Sequence, residues 1–502
     1  MSEAPAEPRE ARPTLGAWVA GVLAFVPAAV TLLVEVVAIR LLAPRIGSSL
    51  ETYTATIGVV LAGLALGAWL GGRAADAYGP RPLIAPILLV SAALVALVAP
   101  AVDLAVAVLE PPPGPIGATM LAVAGLLLPS IVLAAATPVA ARGTIVSREH
   151  SGSAVGRISA IATGGALVGT FVTGFVLLPL FPVSALLLGA AVALVLTATL
   201  LQVALGAPGG PGPTALLAIA ALGSMAFGAS AGPGCDPPSA YYCIRVGSSE
   251  AAPRVRDLVL DDLLHGSIDL DAPAELRFRY LRAMDAVVDA AVPPPTALTA
   301  LHVGGGAFAL PRHFAAERPG ATARVLELDP AIVRLNRERL DLTLTEPALT
   351  IRIGDARSGL RDEPAGRYDL VIADVFAARA VPWHLVTREA MGEIRRTMQP
   401  GAIYVANVID GGQLRLLGSY VETLGSVFPD VAVVWLVIPG GVSGNVVVVA
   451  GDDLPLEAIA ASVARDPAEP ARLATEAELA GIAQDAVLLT DDYAPTDALI
   501  SR

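Results

Sequence analysis

The sequence predicts a multi-pass α-helical membrane domain followed by an α/β domain with a mostly parallel, doubly wound sheet. Two observations support this prediction. Hydrophobic residues make up 55% of the 502 residues and charged residues only 16%, and the apolar excess lies before residue 232. After it, the segment Leu298–Pro330 runs from an apolar strand through three glycines and a helix to a second strand that ends in acids. This order is typical of a nucleotide-binding βαβ unit.

The apolar part of the chain is long enough for several membrane crossings. A helix needs about 20 apolar residues to cross about 30 Å of hydrocarbon. We predict a polar N-terminal tail at 1–14 and a transmembrane helical domain of about seven helices at 15–232. The first span is too long for a signal-peptide core and lacks a basic leader, so we expect it to be retained. The candidate spans are 15–43, 54–72, 82–109, 115–141, 155–180, 183–206 and 213–232.

Glycines recur every four residues in two of these spans, at Gly63, Gly67 and Gly71 and again at Gly165 and Gly169. Small residues at this spacing let two helices approach closely in lipid. We therefore interpret both stripes as helix-packing surfaces and not as ligand sites.

Two charged residues, Glu35 and Arg40, lie inside the first span. A charge at mid-membrane costs about 2.5–3.5 kcal/mol on insertion scales. Arg40 lies near the end of the span, so we expect it to reach the interface. For Glu35, a functional role and a structural role between helices both stay open.

Arginine placement predicts the orientation in the cell membrane. Basic residues flank the loops after the second and fourth spans, and the positive-inside rule places those loops and the N-terminus in the cytoplasm. Seven spans would then leave residues 236–502 outside, whereas supply of a nucleotide-like donor favours the cytoplasm, so the side of the second domain stays open. The arginines concerned are Arg73, Arg81, Arg142, Arg148 and Arg157.

Only two cysteines occur, Cys235 and Cys243, directly after the last apolar span. A disulfide would form if this segment faces an oxidising compartment, and two reduced thiols are the alternative. The next segment, 233–292, is predicted to hold a β-hairpin region, from strand-like runs at Tyr241–Val246, Val255–Leu260 and Leu260–Asp271, and a connecting helix at Glu275–Ala291.

From 293 to 502, strands and helices alternate with short links, which predicts a Rossmann-like parallel sheet. In such sheets ligands lie beyond the carboxyl ends of the strands. Acids stand at those ends: Glu327, Asp355 and Asp374. The predicted strands are 298–303, 323–328, 349–353, 368–373, 401–408, 431–437 and 445–450, and the predicted helices are 308–317, 330–340, 384–397 and 413–427.

Composition excludes several classes of function. The chain has no lysine, which excludes Schiff-base chemistry and a Walker lysine, and its net charge of −13 argues against a nucleic-acid partner. The negative charge would suit a cationic substrate, although a solvated acidic surface is the simpler explanation and the one we favour. The five histidines are scattered and no CxxC occurs, so we predict no metal site.

Five motifs carry a family resemblance: VGGGAFALPR, VLELDP, IGDARSGL, RYDLVIADVF and LLTDDYAPTDAL. Together they resemble the spermidine synthase family, and more closely bacterial proteins in which a multi-helix membrane region precedes such a domain. The resemblance implies a methyltransferase-type Rossmann fold. It also implies transfer of an aminopropyl group from decarboxylated S-adenosylmethionine to a polyamine, with no metal.

The resemblance assigns roles to individual residues. Gly304, Gly305 and Gly306 would line the nucleoside thioether, Glu327 would hold the ribose hydroxyls, and Asp355 with Ala356 would meet the adenine. Asp374 would be the catalytic residue, because an ammonium must lose its proton before it attacks carbon next to a sulfonium.

The sequence also departs from the family pattern. Ala307 and Phe308 stand where the family has an acid and a glycine, and Val375-Phe376-Ala377 lacks the second acid of the loop after Asp374. A diamine needs paired acids, because an unpaired buried ammonium is costly. We expect other residues to compensate as substrate contacts, namely Asp261, His265, Tyr280 and Asp492, with Asp262 and Asp491 also near; for His265, a surface position at a strand edge is equally consistent.

Three functions therefore stay open. The first is a membrane-bound aminopropyltransferase. The second is a methyltransferase that uses S-adenosylmethionine, and the third is a non-catalytic module that binds polyamine or nucleoside. The predicted partners are a small polyamine or other amine and the lipid bilayer, and self-association into a homo-oligomer stays open. A dinucleotide dehydrogenase and a transporter fit less well, because the Gly304-x-Gly306-x-x-Ala309 fingerprint stands alone and no internal repeat is evident.

Overall fold

A computed structural model of the chain contains two compact units, Met1–Ala240 and Tyr241–Arg502. It describes residues 13–46, 50–112, 114–145, 151–206, 213–230, 235, 239, 241–249, 252–261, 263–375, 381–411, 413–438 and 441–500. The predicted tail up to residue 12, Arg148, Asp262, Phe376 and Ala377 lie outside the described residues. The predicted order of a helical region followed by a Rossmann-like α/β domain is confirmed.

The first unit is helical. Its helices are α1 Ala17–Ile46, α2 Leu50–Tyr78, α3 Ile84–Ala96, α4 Val98–Leu109, α5 Pro115–Ala122, α6 Leu128–Ala134, α7 Ala136–Thr144, α8 Ser151–Val172, α9 Leu178–Leu180, α10 Val183–Ala204 and α11 Pro213–Ser230. Short π-helical turns at Val123–Leu127 and Thr173–Leu177 join α5 to α6 and α8 to α9.

Five helical segments of the described chain are long and apolar enough to cross a membrane: Ala17–Ala43, Leu50–Tyr78, Pro115–Thr144, Ser151–Leu177 and Val183–Ala204. The pair Arg81–Ala96 and Val98–Leu109 would add a sixth crossing, although it bends by 50°. The seventh predicted span corresponds to α11, whose apolar stretch Ala215–Gly228 is shorter.

The glycine stripe of α2 is a packing surface, as predicted. A Cβ added at Gly63 would come within 2.5 Å of the Ser130 side chain, and one at Gly71 within 2.6 Å of Ala135 Cα. At Gly67 it would collide with the backbone carbonyl of Ile131. Helix α2 therefore lies directly against the 128–135 segment, and only glycine permits this approach.

The second stripe has the same role against α1. Added Cβ atoms at Gly165 and Gly169 would collide with the backbone carbonyls of Phe25 and Ala29. Helices α1 and α8 therefore pack backbone to backbone. Arg40, near the end of α1, donates from Nη2 to the carbonyl oxygen of Ser239 at 2.8 Å.

The second unit begins with a small antiparallel sheet, which extends the predicted hairpin to three strands. Its strands are β1 Ile244–Ser249, β2 Ala252–Leu260 and β3 Leu263–Asp269, paired in that order. Helix α12 follows at Arg279–Ala291 and buries Leu281, Met284, Val287 and Val288, which recur on one face. Both cysteines of the chain, Cys235 and Cys243, are disulfide-bonded.

The main sheet has eight strands in the order β11-β9-β10-β8-β7-β4-β5-β6. The five strands from β8 to β6 are parallel, and β10 runs antiparallel between β8 and β9. These strands are β4 Thr299–Val303, β5 Thr322–Glu327, β6 Leu349–Ile353, β7 Tyr368–Ala373, β8 Met398–Ile409, β9 Asp430–Ile438, β10 Gly441–Gly451 and β11 Ala471–Leu473.

Helices cover both faces of this sheet, and separate apolar cores lie beneath them. They are α13 Ala309–Glu317, α14 Pro330–Arg339, α15 Ala356–Asp362, α16 Arg388–Thr397, α17 Arg415–Gly425, α18 Leu456–Val463, α19 Glu476–Ile482 and α20 Thr496–Leu499. The short elements α15, β11, α18, α19 and α20 were not predicted from the sequence.

Two predicted helix boundaries were wrong for local reasons. The helix expected from 384 begins at Arg388, because Thr387 caps it by accepting the N–H of Ala390 and a separate 3₁₀ turn occupies Trp383–Leu385. The helix expected from 275 begins at Arg279. The residue before it, Phe278, is extended, with φ −92° and ψ 139°.

Candidate active site

The glycine turn after β4 brings the backbone close to the end of β7. Gly304 has φ +92°, and a Cβ there would come within 2.6 Å of the carbonyl oxygen of Asp374. Gly306 has φ +51°, and the nearest atom to a Cβ built on it is the carbonyl oxygen of His265, at 3.8 Å. The turn is therefore packed tightly at Gly304, whereas a Cβ at Gly306 would make an ordinary van der Waals contact with the His265 backbone. Asn336 Nδ2 holds it by donating to the Gly306 carbonyl at 2.8 Å.

Asp374 follows β7 and is held by two side-chain donors. The Tyr280 hydroxyl donates to Oδ2 at 2.8 Å, and Asn407 Nδ2 donates to Oδ1 at 2.9 Å. Asn445 Nδ2 in turn donates to Asn407 Oδ1 at 3.1 Å, which fixes the orientation of the Asn407 amide. The hydrogen bonds from Asn445 to Asn407 and from Asn407 to Asp374 therefore direct an N–H at one oxygen of Asp374 and fix the orientation of its carboxylate.

Burial changes the proton affinity of this cluster. Burial raises the pKa of Asp374 above the ordinary aspartate value, and the hydrogen bonds from Asn407 and Tyr280 oppose that rise. Burial beside the Asp374 carboxylate also raises the pKa of Tyr280, so its hydroxyl remains a donor at neutral pH. A carboxylate with a raised pKa that faces a cavity is suited to accept a proton.

A cavity of about 460 Å³ lies over the glycine turn and Asp374. Its volume is in the range of small-molecule sites. Most of its wall is apolar, formed by Leu263, Leu264, Phe278, Leu281, Leu310, Pro311, Ile372, Ile409 and Leu436. Its polar side chains are Asp374, Tyr280, Asn407, Asn445, His265, His302 and Arg279. The structure thus brings three predicted residues, Asp374, Tyr280 and His265, to one cavity with the three glycines.

Four polar residues of the wall were not predicted: Asn407, Asn445, His302 and Arg279. His302 lies in β4 and is 2% exposed, and burial lowers its pKa to about 3, so the imidazole is neutral. Its Nε2 has no hydrogen-bond partner within the described chain. The signal available in the sequence was a polar residue inside an apolar strand, which occurs at His302, Asn407 and Asn445.

Glu327 lies at the end of β5 but does not line the cavity. It is 5% exposed, and both carboxylate oxygens accept backbone N–H groups: Oε2 that of Gly305 at 2.9 Å and Oε1 that of Asp329 at 2.8 Å. Burial raises its pKa, while these backbone hydrogen bonds oppose the rise. Glu327 therefore joins the glycine turn to the loop after β5.

Phe308 occupies the position directly before α13 with a left-handed backbone, φ +56°. Its side chain is fully buried, and its ring lies so close to Gly305 that a Cβ there would come within 2.8 Å of Cζ. The ring does not belong to the cavity wall. Instead the ring packs against Gly305 of the glycine turn and belongs to an apolar cluster with Ile244 and Val325.

Asp355 and Ala356 lie after β6, at the start of α15. Asp355 caps this helix by accepting the Ser358 N–H at 3.0 Å, and its Oδ2 lies 2.9 Å from His384 Nε2. Burial raises the pKa of Asp355, but the hydrogen bonds from Ser358 and His384 outweigh it and lower the pKa below the ordinary value. Neither residue lines the cavity, so the edge after β6 forms a separate, more exposed rim.

The remaining predicted contacts lie away from the cavity. Asp261 has φ +57° and is buried at the end of β2, where its Oδ1 accepts the Cys243 N–H at 2.9 Å. Asp492 is exposed on the C-terminal segment. Its neighbour Asp491 pairs with Arg357 at 2.9 Å and accepts from the Thr387 hydroxyl. Among the described residues, no group of three or more His, Cys, Asp or Glu could hold a metal ion.

Comparison with curated proteins gives relatives named polyamine aminopropyltransferase. The chain is 27% identical over 127 residues to a polyamine aminopropyltransferase of Vibrio vulnificus (strain CMCP6), covering 24% of this chain and 40% of that protein. It is 26% identical over 213 residues to a polyamine aminopropyltransferase of Neisseria meningitidis serogroup A, covering 42% of this chain and 78% of that protein.

A solved structure of a probable spermidine synthase from Corynebacterium glutamicum ATCC 13032 is also similar. It has a TM-score of 0.45 and 27% identity, and the match covers 50% of this chain and 94% of that one. No family model matches the sequence.

Proposed function

We propose that this chain, whose relatives support a spermidine synthase-like family, is a transferase that moves an aminopropyl group from decarboxylated S-adenosylmethionine to an amine. The observation that supports it most is the placement of Asp374. A carboxylate with a raised pKa, held by Tyr280 and Asn407, faces a cavity directly beside the glycine turn. A general base for an amine nucleophile needs this combination of proton affinity, fixed geometry and access.

The reaction follows from these groups. The nitrogen lone pair of a neutral amine attacks the carbon next to the sulfonium and forms a C–N bond. The C–S bond breaks, its electron pair stays on sulfur, and 5′-methylthioadenosine leaves as a neutral thioether. The proton lost by the nitrogen passes to Asp374, and Tyr280 and Asn407 hold that carboxylate in place. The apolar wall excludes water and so raises the fraction of amine that is unprotonated.

The donor would lie across the strand ends, with its alkyl arm in the cavity and its nucleoside toward β5 and β6. Gly304, Gly305 and Gly306 support this placement, because all three line the cavity and present no side chain to it. The carboxylate of Glu327 would accept hydrogen bonds from the ribose hydroxyls on the lone pairs that the N–H groups of Gly305 and Asp329 leave available. Asp355 and Ala356, on the rim after β6, would meet the adenine edge.

The same protein would be anchored in the cell membrane by its helical unit. Five described helices are long and apolar enough to cross it, and a bent pair would add a sixth. If α11, which has 18 residues and is about 27 Å long, is a seventh crossing, the N-terminus would be cytoplasmic and the second unit extracytoplasmic, where it would need a supply of donor from outside the cytoplasm. The disulfide of Cys235 and Cys243 supports this side, because such bonds persist in oxidising compartments.

A second candidate is methyl transfer from S-adenosylmethionine. Two observations favour it: Ala307 supplies no carboxylate on the cavity wall, and Arg279 supplies a cation there. A donor that keeps its carboxylate would be attracted by that guanidinium. Turnover of purified protein with the two donors separates the candidates. Release of 5′-methylthioadenosine from the decarboxylated donor supports aminopropyl transfer, and formation of S-adenosylhomocysteine supports methyl transfer. Binding of either donor without turnover would leave a non-catalytic module.

A further inference from the structure

The cavity wall carries little charge for a site that would take a polyamine. Among the described residues that line it, Asp374 is the one carboxylate. That carboxylate already accepts from Tyr280 and Asn407, one donor to each oxygen. The aminopropyl arm of the donor already brings one ammonium into this cavity, and a diamine acceptor would add a second lasting ammonium. With one described carboxylate on the wall, each further ammonium adds a desolvation cost, so a monoamine acceptor costs less than a diamine.

The other fixed charge on the wall is a cation. Arg279 lines the cavity, and its Nη2 donates to the carbonyl oxygen of Val437 at 3.0 Å. Its Nε is buried without a hydrogen-bond partner in the described chain. Arg279 supplies no counter-charge for a second ammonium, so the charges of the described lining residues disfavour a dication.

The uncharged part of the wall fits an apolar body. Nine large apolar side chains line the cavity, from β3, from α12 and the residue before it, from α13 and from the main sheet. The His302 imidazole is neutral, and its Nε2 is buried without a hydrogen-bond partner in the described chain. A neutral imidazole does not neutralise an ammonium.

We infer that the acceptor is a monoamine with an apolar body and no second charge, and not a diamine. This inference rests on the proposed aminopropyl transfer and names the class of acceptor for it. The amine nitrogen would lie at Asp374, and the carbon chain would extend along the leucine-rich wall formed by Leu264, Leu281, Leu310 and Leu436. A diamine of equal length would place its second nitrogen among these side chains.

The test compares two acceptors of equal length on the full-length protein in detergent, with decarboxylated S-adenosylmethionine as donor. The acceptors are 1-aminopentane and 1,4-diaminobutane, which differ by a terminal methyl in place of an ammonium. We expect kcat/KM for release of 5′-methylthioadenosine to be at least tenfold higher with 1-aminopentane, and mass spectrometry to find the N-alkylated 1,3-diaminopropane. Equal or higher kcat/KM with the diamine overturns the inference and leaves aminopropyl transfer standing. No release with either amine overturns both.

A variant pair tests the electrostatic reason. Ala307→Asp places a second carboxylate on the cavity wall, and Ala307→Asn adds the same bulk without charge. We expect the aspartate variant to shift the preference toward 1,4-diaminobutane by tenfold or more relative to the asparagine variant. An identical preference in the two variants contradicts the argument from charge. If neither variant folds, as judged by its thermal transition, the comparison of the two amines on the wild-type protein still decides.

Discussion

The hydroxyl oxygen of Tyr280 lies 2.8 Å from Oδ2 of Asp374 and joins helix α12 to the end of β7. The two residues are 94 positions apart in sequence, and the bond forms on the wall of the cavity. Because the phenol donates, it stabilises the carboxylate form and opposes the rise in pKa that burial causes. The pair therefore sets both the position and the proton affinity of the proposed base.

The pH dependence of turnover follows from this pair. Activity requires Asp374 to be deprotonated, so kcat/KM should show an acidic limb at the pKa of Asp374, which burial raises above the ordinary aspartate value. A further rise at higher pH should follow the neutral form of the acceptor amine. Tyr280→Phe removes a donor to the carboxylate, so the acidic limb should move to higher pH and kcat/KM at low pH should fall about tenfold. Profiles of kcat/KM against pH measure both changes. Tyr493→Phe, at an exposed tyrosine, serves as the control; an unmoved limb in Tyr280→Phe would contradict the assignment.

Glu327 should matter for both nucleoside binding and stability. Glu327→Ala removes the acceptor for the backbone N–H groups of Gly305 and Asp329, and each buried donor left unpaired costs about 1–3 kcal/mol. We expect a lower melting temperature and at least tenfold weaker binding of 5′-methylthioadenosine by calorimetry. Glu338→Ala, on the exposed face of α14, should change neither. Unchanged affinity in a folded Glu327→Ala variant would remove Glu327 from the nucleoside site.

The packing of α2 should depend on the glycines of its stripe, such as Gly67, and not on a glycine elsewhere in the same helix, such as Gly58. Gly67→Ala places a Cβ against the backbone carbonyl of Ile131, which cannot move without separating two helices. Gly58→Ala, in the same helix, meets no atom within 4 Å. Overpacking typically costs about 1–3 kcal/mol, so the melting temperature in detergent should fall for Gly67→Ala alone. Equal melting temperatures for the two variants would contradict the packing of α2.

Labelling of the disulfide-bonded cysteines should show on which side of the membrane the segment with Cys235 and Cys243 lies. In intact cells, a membrane-impermeant maleimide should label Cys235 and Cys243 only after treatment with an impermeant reductant. The protein with both cysteines replaced by serine controls for labelling elsewhere. Labelling that requires permeabilised cells would place this segment in the cytoplasm and would contradict the proposed seven crossings.

Sequence patterns predicted the parallel sheet because apolar runs, glycines and acids follow one another at fixed intervals from Leu298 to Asp374. They did not predict that Glu327 and Asp355 stand apart from the cavity that Asp374 faces. Strand ends can be read from a sequence, but the directions of their side chains depend on contacts such as the Gly305 N–H to Glu327 bond, which joins residues 22 positions apart. The position of the Phe308 side chain could not be predicted from the sequence either, because its left-handed backbone is unusual for a phenylalanine.

The amide chain from Asn445 to Asn407 had no local signal beyond a polar residue in an apolar strand. It forms because β8 and β10 pair antiparallel, with Asn445 opposite Ile409. Such a pairing arises from topology, since β10 inserts between β8 and β9 although it follows both in the chain. The short elements near the C-terminus were missed because they have too few residues to show a period.

The most direct measurement is release of 5′-methylthioadenosine from decarboxylated S-adenosylmethionine by the wild-type protein and by Asp374→Asn, each with 1-aminopentane as acceptor. Asparagine keeps the size of the side chain and removes its ability to take a proton. We predict release by the wild type, a decrease of about 10²- to 10⁴-fold in kcat for Asp374→Asn, and unchanged affinity for 5′-methylthioadenosine. Equal kcat in the two proteins would contradict the role of Asp374, and no release by the wild type with this or any other amine would contradict aminopropyl transfer.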